Sequence, residues 1–357
     1  MSAERPAKIA RGNVVDDAVG AKPLGVAMCG GGRIGSVHLK SLVSAPGKFR
    51  LIYFVDIDLD RAADMAKQAG AGCKGVSDVR MALGDDEVEA VVICSPTGTH
   101  VELITLSLNA GKHVFCEKPI SLKHPEVLQC YQLAQQKGLQ LYCAYQRRAD
   151  TSFRNLKDHI VDGKIGQIQI VKSTSRDHPS PNLAFLKISG GFFHDCASHD
   201  IDLCCWVTGE RPTHVYATAH AFNPDIAALD DVDTAVIHLQ FPSGVFGIID
   251  VSRLALYGYD QRLEVHGSLG MVQTLNPEQS SCVLSVESGI IHDKPHFSFP
   301  QRYTQAYATE MHHFFDILRH SVIPWVDGPG CAVVAQIADA ADRSSKTHQI
   351  VEMHYGY

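Results

Sequence analysis

Apolar runs typical of buried strands alternate with helix-like stretches up to about residue 146. The runs occupy residues 24–29, 51–55, 91–94, 113–116 and 139–143. Nearly continuous apolar strands separated by helices are typical of a parallel sheet that carries helices on both faces. The pattern therefore predicts an α/β domain with a doubly wound parallel sheet.

After about residue 150 the strands follow one another more closely. They occupy residues 168–171, 234–241, 245–251, 263–266 and 270–272, and the segment Pro242-Ser243-Gly244 forms the turn between two of them. Neighbouring strands joined by short turns indicate an antiparallel or mixed sheet. We therefore expect a C-terminal α+β domain built on an open, largely antiparallel sheet.

A glycine-rich segment, Gly30-Gly31-Gly32-Arg33-Ile34-Gly35, follows the first strand and fits the pattern G-x-G-x-x-G. Such glycines let the backbone approach a pyrophosphate, and the first N–H groups of the next helix hold the phosphates. The second strand ends at Asp56, about where this fingerprint has an acidic residue. The alternative is a packing turn in a unit that binds no ligand. Strand, loop, helix, strand and acid together favour a dinucleotide-binding Rossmann domain.

Asp56 also bears on which dinucleotide is bound. A carboxylate at this position accepts hydrogen bonds from both ribose hydroxyls and repels a 2′-phosphate. Residues 57–60 offer no Arg or Lys, and Arg61 comes later. We therefore expect NAD rather than NADP.

Length and composition indicate the number of domains. A chain of 357 residues, 45% of them hydrophobic, is long enough to form two domains. We expect an N-terminal extension over 1–22, the NAD-binding domain over 23–146, and a substrate-binding and oligomerisation domain over 147–357. A net charge of −7 without a basic block argues against nucleic acid, and no apolar run is long enough to span a membrane. The 11 cysteines lack disulfide or zinc spacing and, with no secretory signal, indicate reduced thiols in a cytoplasmic protein.

Three polar segments follow strands of the parallel sheet. They are 95–100 (Ser-Pro-Thr-Gly-Thr-His), 117–119 (Glu-Lys-Pro) and 146–148 (Gln-Arg-Arg). In open α/β sheets ligands bind outside the carboxyl ends of the strands, so these loops should gather around the dinucleotide. Lys118 comes at the carboxyl end of a strand, where the nicotinamide is expected, and Pro119 excludes a helical backbone at this lysine. An exposed lysine at a strand end is the alternative.

The segment 190–202 carries the second chemical signal. Two glycines end an extended stretch, and a helix then runs to about Gly209. Asp195 and His199 are four residues apart and project from one face of that helix. A carboxylate beside an imidazole suits a substrate with adjacent hydroxyls, because histidine can accept a hydroxyl proton as hydride leaves the carbon.

Two alternatives to this chemistry remain. In the first, Asp195, His199 and Asp202 are metal ligands, although hydride transfer to a nicotinamide requires no metal. In the second, the imidazole of His199 makes its hydrogen bonds within a contact between domains, and the residue has a structural role only.

The motifs together resemble the glucose-fructose oxidoreductase and inositol dehydrogenase (Gfo/Idh/MocA) family. The resemblance runs from about residue 22 to the C-terminus and includes the glycine loop, segments 95–100, 117–119 and 146–148, and the Asp195/His199 helix. The segment 257–267 (Tyr-Gly-Tyr-Asp-Gln-Arg-Leu-Glu-Val-His-Gly) is similar to inositol 2-dehydrogenases in particular. One departure is His178, which separates Asp177 from Pro179 where inositol dehydrogenases often have Asn followed by Pro.

The resemblance implies site residues by position. The catalytic set is Lys118, Asp195 and His199. The cofactor site comprises Gly30, Gly32, Arg33, Ile34, Gly35, Asp56, Ser95, Thr97, His100, Glu117, Lys118 and Gln146. The substrate site comprises Lys118, Arg147, Arg176, Asp177, Asp195, His199 and Tyr259.

The expected activity is NAD-dependent oxidation of a secondary hydroxyl of a cyclic polyol, with myo-inositol giving 2-keto-myo-inositol (scyllo-inosose). His199 takes the hydroxyl proton, Lys118 polarises the oxygen, and Asp195 holds a substrate hydroxyl. Alternatives are a dehydrogenase of a related cyclitol or pyranose sugar, or a regulator of the same fold that senses a sugar or dinucleotide without turnover.

The open sheet of the second domain needs a covered outer face. Phe241, Phe246 and Ile248 are candidate contacts on that face, and we therefore expect a homodimer or homotetramer.

Overall fold

The computed structural model of the chain describes residues 21–356. The extension expected over 1–22 lies outside the described residues except for its last two. Contacts divide the described chain into two compact units. The first unit comprises residues 21–149 and 305–335, and the second comprises 150–304 and 336–356.

Strands and helices are numbered in chain order. The strands are β1 (Leu24–Cys29), β2 (Phe49–Val55), β3 (Lys74–Val76), β4 (Ala90–Ile93), β5 (His113–Glu117), β6 (Leu141–Ala144), β7 (Ile168–Arg176), β8 (His214–His220), β9 (Thr234–Gln240), β10 (Phe246–Ser252), β11 (Asp260–Gly267), β12 (Gly270–Thr274), β13 (Val283–Val286), β14 (Gly289–His292) and β15 (Val351–Glu352). The α-helices are α1 (Arg33–Val43), α2 (Leu59–Ala69), α3 (Val79–Leu83), α4 (His100–Asn109), α5 (His124–Gln136), α6 (Thr151–Val161), α7 (Leu183–Leu186), α8 (Ser198–Thr208), α9 (Pro224–Ala227), α10 (Phe299–Arg302), α11 (Thr304–His320) and α12 (Gly328–Thr347). Within residues 21–356, none of the helices has the length and apolar character needed to cross a membrane.

The first unit is built on a six-stranded sheet in the order β3-β2-β1-β4-β5-β6. Every neighbouring pair of strands in it is parallel. This order is that of dinucleotide-binding folds. Strands β1 to β3 are added towards one edge of the sheet and β4 to β6 towards the other, so the strand order reverses between β1 and β4. The predicted doubly wound parallel sheet is confirmed, and the short edge strand β3 is added to it.

The core of the first unit includes a helix from late in the sequence. Residues of β1 and β5 such as Met28 and Phe115 are fully buried in one cluster with Met311, Phe314 and Phe315 of α11. Each such side chain contributes about 1.5–3 kcal/mol when it leaves water. Helix α11 therefore belongs to the first unit, whereas the boundaries expected from the sequence place all of 147–357 in the second domain.

The second unit is built on a seven-stranded sheet in the order β12-β11-β7-β10-β9-β8-β15. Strands β7 and β10 pair in parallel and the other pairs are antiparallel. The Ser173 hydroxyl donates to Asp200 Oδ1 over 2.6 Å, so the odd-numbered residues of β7 face α8. The even-numbered residues lie on the opposite face, as the two-residue repeat of a strand requires. The expected open, largely antiparallel sheet is confirmed.

Two of the three side chains expected on the outer face of this sheet lie there. Phe246 is 46% exposed and Ile248 is partly exposed. The expectation for Phe241 is wrong, because this side chain is only 1% exposed. Strand β9 ends at Gln240, so the alternation of faces stops there and the Phe241 ring packs beside Gly247 on the buried side.

Candidate active site

The glycine turn between β1 and α1 leaves no room for side chains at two positions. Gly30 has φ +97°, and a Cβ there would lie 2.6 Å from the backbone nitrogen of Ser95. A Cβ at Gly35 would lie 2.0 Å from the carbonyl oxygen of Gly30. The turn is therefore packed against the loop after β4, and both positions require glycine.

The N-terminus of α1 has the features of an anion site. Its N-cap is Gly32, which supplies no side-chain hydrogen bond, and the first turn contains no acidic residue. By contrast, the N-caps of α2 and α6 are Asp58 and Asp150, whose carboxylates accept backbone N–H groups. A Cβ at Gly32 would meet no atom within 4 Å, so there is space in front of the helix. Uncapped N–H groups and the helix dipole together favour a phosphate at this position.

Asp56 is tied to the glycine turn. Its Oδ2 accepts the Gly31 N–H over 2.8 Å, and its Oδ1 accepts the Asp58 N–H over 3.0 Å. Arg61 from α2 also reaches back, with Nη1 3.3 Å from Asp56 Oδ1. The sequence indicated Asp56 but gave no sign that Arg61 returns to it.

His100 is enclosed between two loops. Its Nδ1 lies 2.8 Å from the Pro119 carbonyl oxygen, and its Nε2 lies 2.9 Å from the Ser95 carbonyl oxygen. Burial lowers the pKa of His100, although both carbonyls oppose this shift. Its two contacts connect the loop after β4 with the one after β5. We therefore assign it a role in supporting these loops.

The rest of the loop after β4 is held by its hydroxyl groups. The Ser95 and Thr99 hydroxyls are 2.6 Å apart, and a 3₁₀ turn spans Thr97–Thr99. Gln146 and Arg147 lie in a second 3₁₀ turn, Gln146–Ala149, after β6, and both are buried. Arg33 opens α1, and Ile34 packs against the core of the first unit.

Glu117, at the end of β5, orders the backbone at Lys118. Its Oε1 lies 2.6 Å from His38 Nε2, and its Oε2 accepts the Lys118 N–H over 3.1 Å. The fully buried Glu310 of α11 lies beside this pair. Burial, together with the nearby Glu117, raises the pKa of Glu310 well above its usual value. The cluster His38–Glu117–Glu310 thus underlies the strand end that carries Lys118.

In the second unit, Asp195 and His199 lie where two kinds of helix join. One π-helical turn, Phe193–Ala197, runs directly into α8, which ends at Gly209 with φ +73°. π-helical turns inside α-helices occur often at functional sites. Asp195 lies on the π turn and His199 in the first turn of α8, so the predicted helix and its end are confirmed.

Asp195 is paired with a buried arginine that the sequence analysis missed. The Arg253 guanidinium is 1% exposed, and its Nη1 donates to Asp195 Oδ2 over 2.9 Å. Asp177 lies on the same side of the sheet, where its Oδ2 accepts the Cys196 thiol over 3.7 Å. Burial raises the pKa of Cys196 well above its usual value, and the thiol stays neutral. Arg253 follows β10 directly, and only the folded sheet brings it to Asp195.

Tyr259 and Arg176, two further expected substrate residues, have different surroundings in the second unit. Tyr259 is buried in the second unit, with its ring 6.0 Å from that of Tyr303. Arg176 is an even-numbered residue of β7 and pairs with Asp250 and with the Tyr257 hydroxyl on the face opposite α8. The structure does not bring Arg176 to Asp195 and His199, and we leave it out of the proposed substrate site.

The alternative metal set of Asp195, His199 and Asp202 is not assembled. Within residues 21–356, one group of three candidate ligands has its atoms within 4.8 Å of one another, and it is His38, Glu117 and Glu310. The 2.6 Å separation of His38 Nε2 and Glu117 Oε1 is that of a hydrogen bond. This group is therefore better described as a hydrogen-bonded cluster than as a metal site.

Comparisons with known proteins agree with this arrangement. Residues 24–145 match the profile described as "Oxidoreductase family, NAD-binding Rossmann fold", and residues 153–273 match the "GFO/IDH/MocA C-terminal domain". The chain is 34% identical over 330 residues to the myo-inositol 2-dehydrogenase of Thermotoga maritima, covering 92% of this chain and 98% of that protein. It is 37% identical over 318 residues to the inositol 2-dehydrogenase of Rhizobium meliloti, covering 89% and 95%.

This chain belongs to the GFO/IDH/MocA oxidoreductase family. A solved relative is the scyllo-inositol dehydrogenase of Lactobacillus casei with bound NAD(H) and scyllo-inositol. It is 27% identical, with a TM-score of 0.87 over 93% of this chain and 99% of that one.

As in the family, the cofactor is NAD. The residues of the first unit fit it, because Gly30 and Gly35 keep the turn free of side chains and α1 presents uncapped N–H groups. Asp56 stands at the strand end where a ribose diol is bound in such folds.

Proposed function

We propose that this enzyme oxidises a secondary hydroxyl of a cyclic polyol, with myo-inositol as substrate and 2-keto-myo-inositol (scyllo-inosose) as product. The observation that carries the proposal is that Asp195, whose carboxylate is held by Arg253, and His199 lie four residues apart on one helical segment of an NAD-dependent oxidoreductase. The similarity to two inositol 2-dehydrogenases over about nine-tenths of the chain supports the choice of polyol.

His199 is the proposed base. A neutral imidazole accepts the hydroxyl proton as the carbon–oxygen bond becomes a carbonyl. A second hydroxyl of the ring donates to the carboxylate of Asp195, which orients the polyol. Protonated His199 cannot perform this step, so the reaction requires its neutral form.

Lys118 is the proposed electrophile. Its ammonium group stabilises the negative charge that develops on the reacting oxygen. The backbone of Lys118 is fixed by the hydrogen bond to Glu117 and by Pro119, which follows it. NAD, held at the glycine turn and Asp56, would supply the hydride acceptor.

We propose that Gly30, Gly32, Arg33, Ile34, Gly35, Asp56, Ser95, Thr97, Glu117 and Gln146 form or support the cofactor site, with His100 behind them. Arg147, Asp177 and Tyr259 are the further substrate residues. Because Asp177 is followed by His178 rather than by Pro, the polyol that reacts fastest is open to test among inositol isomers and pyranose sugars.

The test is NADH formation at 340 nm with NAD and a panel of myo-inositol, scyllo-inositol, other cyclitols and aldoses. We expect the highest kcat/KM with myo-inositol, and 2-keto-myo-inositol as the product by mass spectrometry. NAD binding without turnover of any polyol would instead favour a sensing regulator of the same fold.

We further propose that the enzyme is a cytoplasmic homodimer or homotetramer that uses the outer face of the second sheet. Val236, Phe246 and Met271 give this face exposed apolar area of the kind that oligomers cover. Light scattering at micromolar concentration should give a multiple of 38.9 kDa, and Phe246→Asp should shift it towards a single chain. A monomeric mass for the native protein would contradict this proposal.

A further inference from the structure

Arg253 is a deeply buried cation next to Asp195, the residue proposed to hold a substrate hydroxyl. It is 1% exposed and follows β10 directly, and its backbone N–H is held by the Asp233 carbonyl over 2.8 Å. The guanidinium carbon lies 5.4 Å from the centre of the Phe192 ring. An arginine keeps its charge inside a protein, and such a charge is costly unless acidic groups face it.

Acidic groups face Arg253 from three parts of the second unit. Asp195 comes from the π turn, Asp231 from the segment before β9, and Asp177 from the segment after β7. Cys196 also faces it as a neutral thiol. One buried cation among three carboxylates leaves a surplus of hydrogen-bond acceptors, which suits the hydroxyl donors of a neutral polyol.

The guanidinium of Arg253 lies closer to Asp195 than to Asp231, and this difference indicates which carboxylate it holds. Nη1 makes a normal 2.9 Å hydrogen bond to Asp195 Oδ2, whereas Nη2 lies 3.9 Å from Asp231 Oδ2. Among the described residues, Nη2 and Nε have no hydrogen-bond partner. Asp231 instead accepts the Phe192 N–H over 3.0 Å, next to the start of the π turn. The direct hydrogen bond of the guanidinium is therefore made to Asp195.

We propose that Arg253 is a positioning residue that holds Asp195 as a fixed anion, so that Asp195 acts on the substrate only as a hydrogen-bond acceptor and His199 alone takes the proton. The proposal rests on the proposed function of Asp195. Arg253 itself does not contact the substrate, because its charge is enclosed by the protein.

A double-mutant cycle tests this role, because a residue that acts through Asp195 has no effect once Asp195 is neutralised. The proteins are the native enzyme, Arg253→Gln, Asp195→Asn and the double variant. We expect Arg253→Gln to raise KM for myo-inositol about tenfold or more in the native background and less than about twofold in the Asp195→Asn background. Equal effects in both backgrounds would overturn the proposal.

Two further variants separate this role from a loss of folding. Arg262→Gln removes another arginine–aspartate pair of the second unit, with Arg262 Nε 2.8 Å from Asp260 Oδ1, and should leave KM unchanged. If Arg253→Gln does not fold, Arg253→Lys is measured in the same cycle. Because lysine keeps the charge and loses the planar fork, we expect a smaller rise in KM in the native background and none in the Asp195→Asn background, and equal effects in both would again overturn the proposal. NAD affinity and the melting temperature are measured for every variant.

A readout that needs no turnover keeps the proposal separate from the proposed function. In protein labelled with carbon-13 at the aspartate carboxyl carbons, the Asp195 signal is assigned by its loss in Asp195→Asn. We expect this signal to titrate at higher pH in Arg253→Gln than in the native enzyme, because the nearby cation is gone. An unchanged titration would overturn the role of Arg253, whereas failure to oxidise any polyol would overturn only the proposed function.

Discussion

The backbone N–H of Gly31 donates a 2.8 Å hydrogen bond to Oδ2 of Asp56. This bond joins the glycine turn after β1 to the acidic residue that follows β2, 25 positions later in the sequence. The proposed phosphate and ribose sites are therefore joined by a direct hydrogen bond. A change at Asp56 should act on the preference between cofactors and also loosen the turn.

The first prediction concerns that preference. We expect Asp56→Ser combined with Ile57→Arg to raise the ratio of kcat/KM for NADP to that for NAD by about a hundredfold or more. The carboxylate that repels a 2′-phosphate is removed, and Ile57, 96% exposed, becomes a cation. Arg61 also loses its 3.3 Å contact to Asp56 and becomes available to the phosphate.

The matched control for cofactor preference is Asp58→Ser. It removes the other acidic partner of Arg61 but leaves Asp56, and serine still caps α2. Its cofactor preference should stay that of the native enzyme. Equal use of NAD and NADP by the native enzyme would contradict the role of Asp56.

The second prediction concerns the base. His199→Ala should lower kcat by about 10²–10⁴-fold while NAD affinity stays nearly unchanged. The native kcat should fall at acidic pH as His199 takes up a proton, and that fall should be absent from the residual activity of the variant. The measurement is a pH profile of kcat together with an NAD titration.

His194→Ala is the matched control for the base. His194 lies on the same π turn, and its Nε2 is 2.8 Å from Asp339 Oδ1. It should keep a native kcat and pH profile. A His199→Ala variant with native kcat would leave His199 with a structural role only.

The third prediction concerns Lys118. Lys118→Ala should lower kcat and also raise the dissociation constant for NAD, because this lysine is proposed to lie where nicotinamide and substrate meet. Lys123→Ala, which removes an exposed lysine that pairs with Glu126, should change neither quantity. Native kinetics in Lys118→Ala would exclude it from the catalytic set.

The fourth prediction concerns the buried cluster under Lys118. Burial raises the pKa of Glu310, so the folded enzyme keeps a proton that the unfolded chain releases above its ordinary carboxyl pKa. Stability should therefore fall as pH rises from about 4.5 towards the raised pKa. Glu310→Gln should weaken this dependence, whereas Glu87→Gln, at an exposed ion pair with Arg50, should not. Melting temperatures between pH 5 and pH 8 check this, and identical slopes would refute it.

Much of the fold could be predicted because its signals are local. Continuous apolar runs gave the strands of the first sheet, and alternation with short turns gave most of the second. The glycine spacing gave the turn at Gly30 to Gly35, since backbone sterics at these positions are independent of the rest of the chain. Short elements such as β3 and the exposed β13–β14 hairpin carry too few residues for a pattern to emerge.

The features that the sequence did not predict depend on contacts between distant residues. Arg253 meets Asp195 across 58 positions, and His38 meets Glu117 across 79. The π turn at Asp195 has no signature in the residue pattern. Helix α11 joins the first unit because its aromatic face completes that core, which a division along the sequence cannot show. The pairing of Arg176 with Asp250 joins residues 74 positions apart, and it too depends on the folded sheet.

The most direct test of the central claim uses myo-inositol that carries deuterium at C2, with NAD, and measures the mass of the NADH formed. We expect NADH one mass unit heavier than with unlabelled substrate, together with 2-keto-myo-inositol, because hydride leaves C2. Turnover that yields unlabelled NADH would show oxidation at another carbon. No NADH from myo-inositol at all would contradict the proposed function.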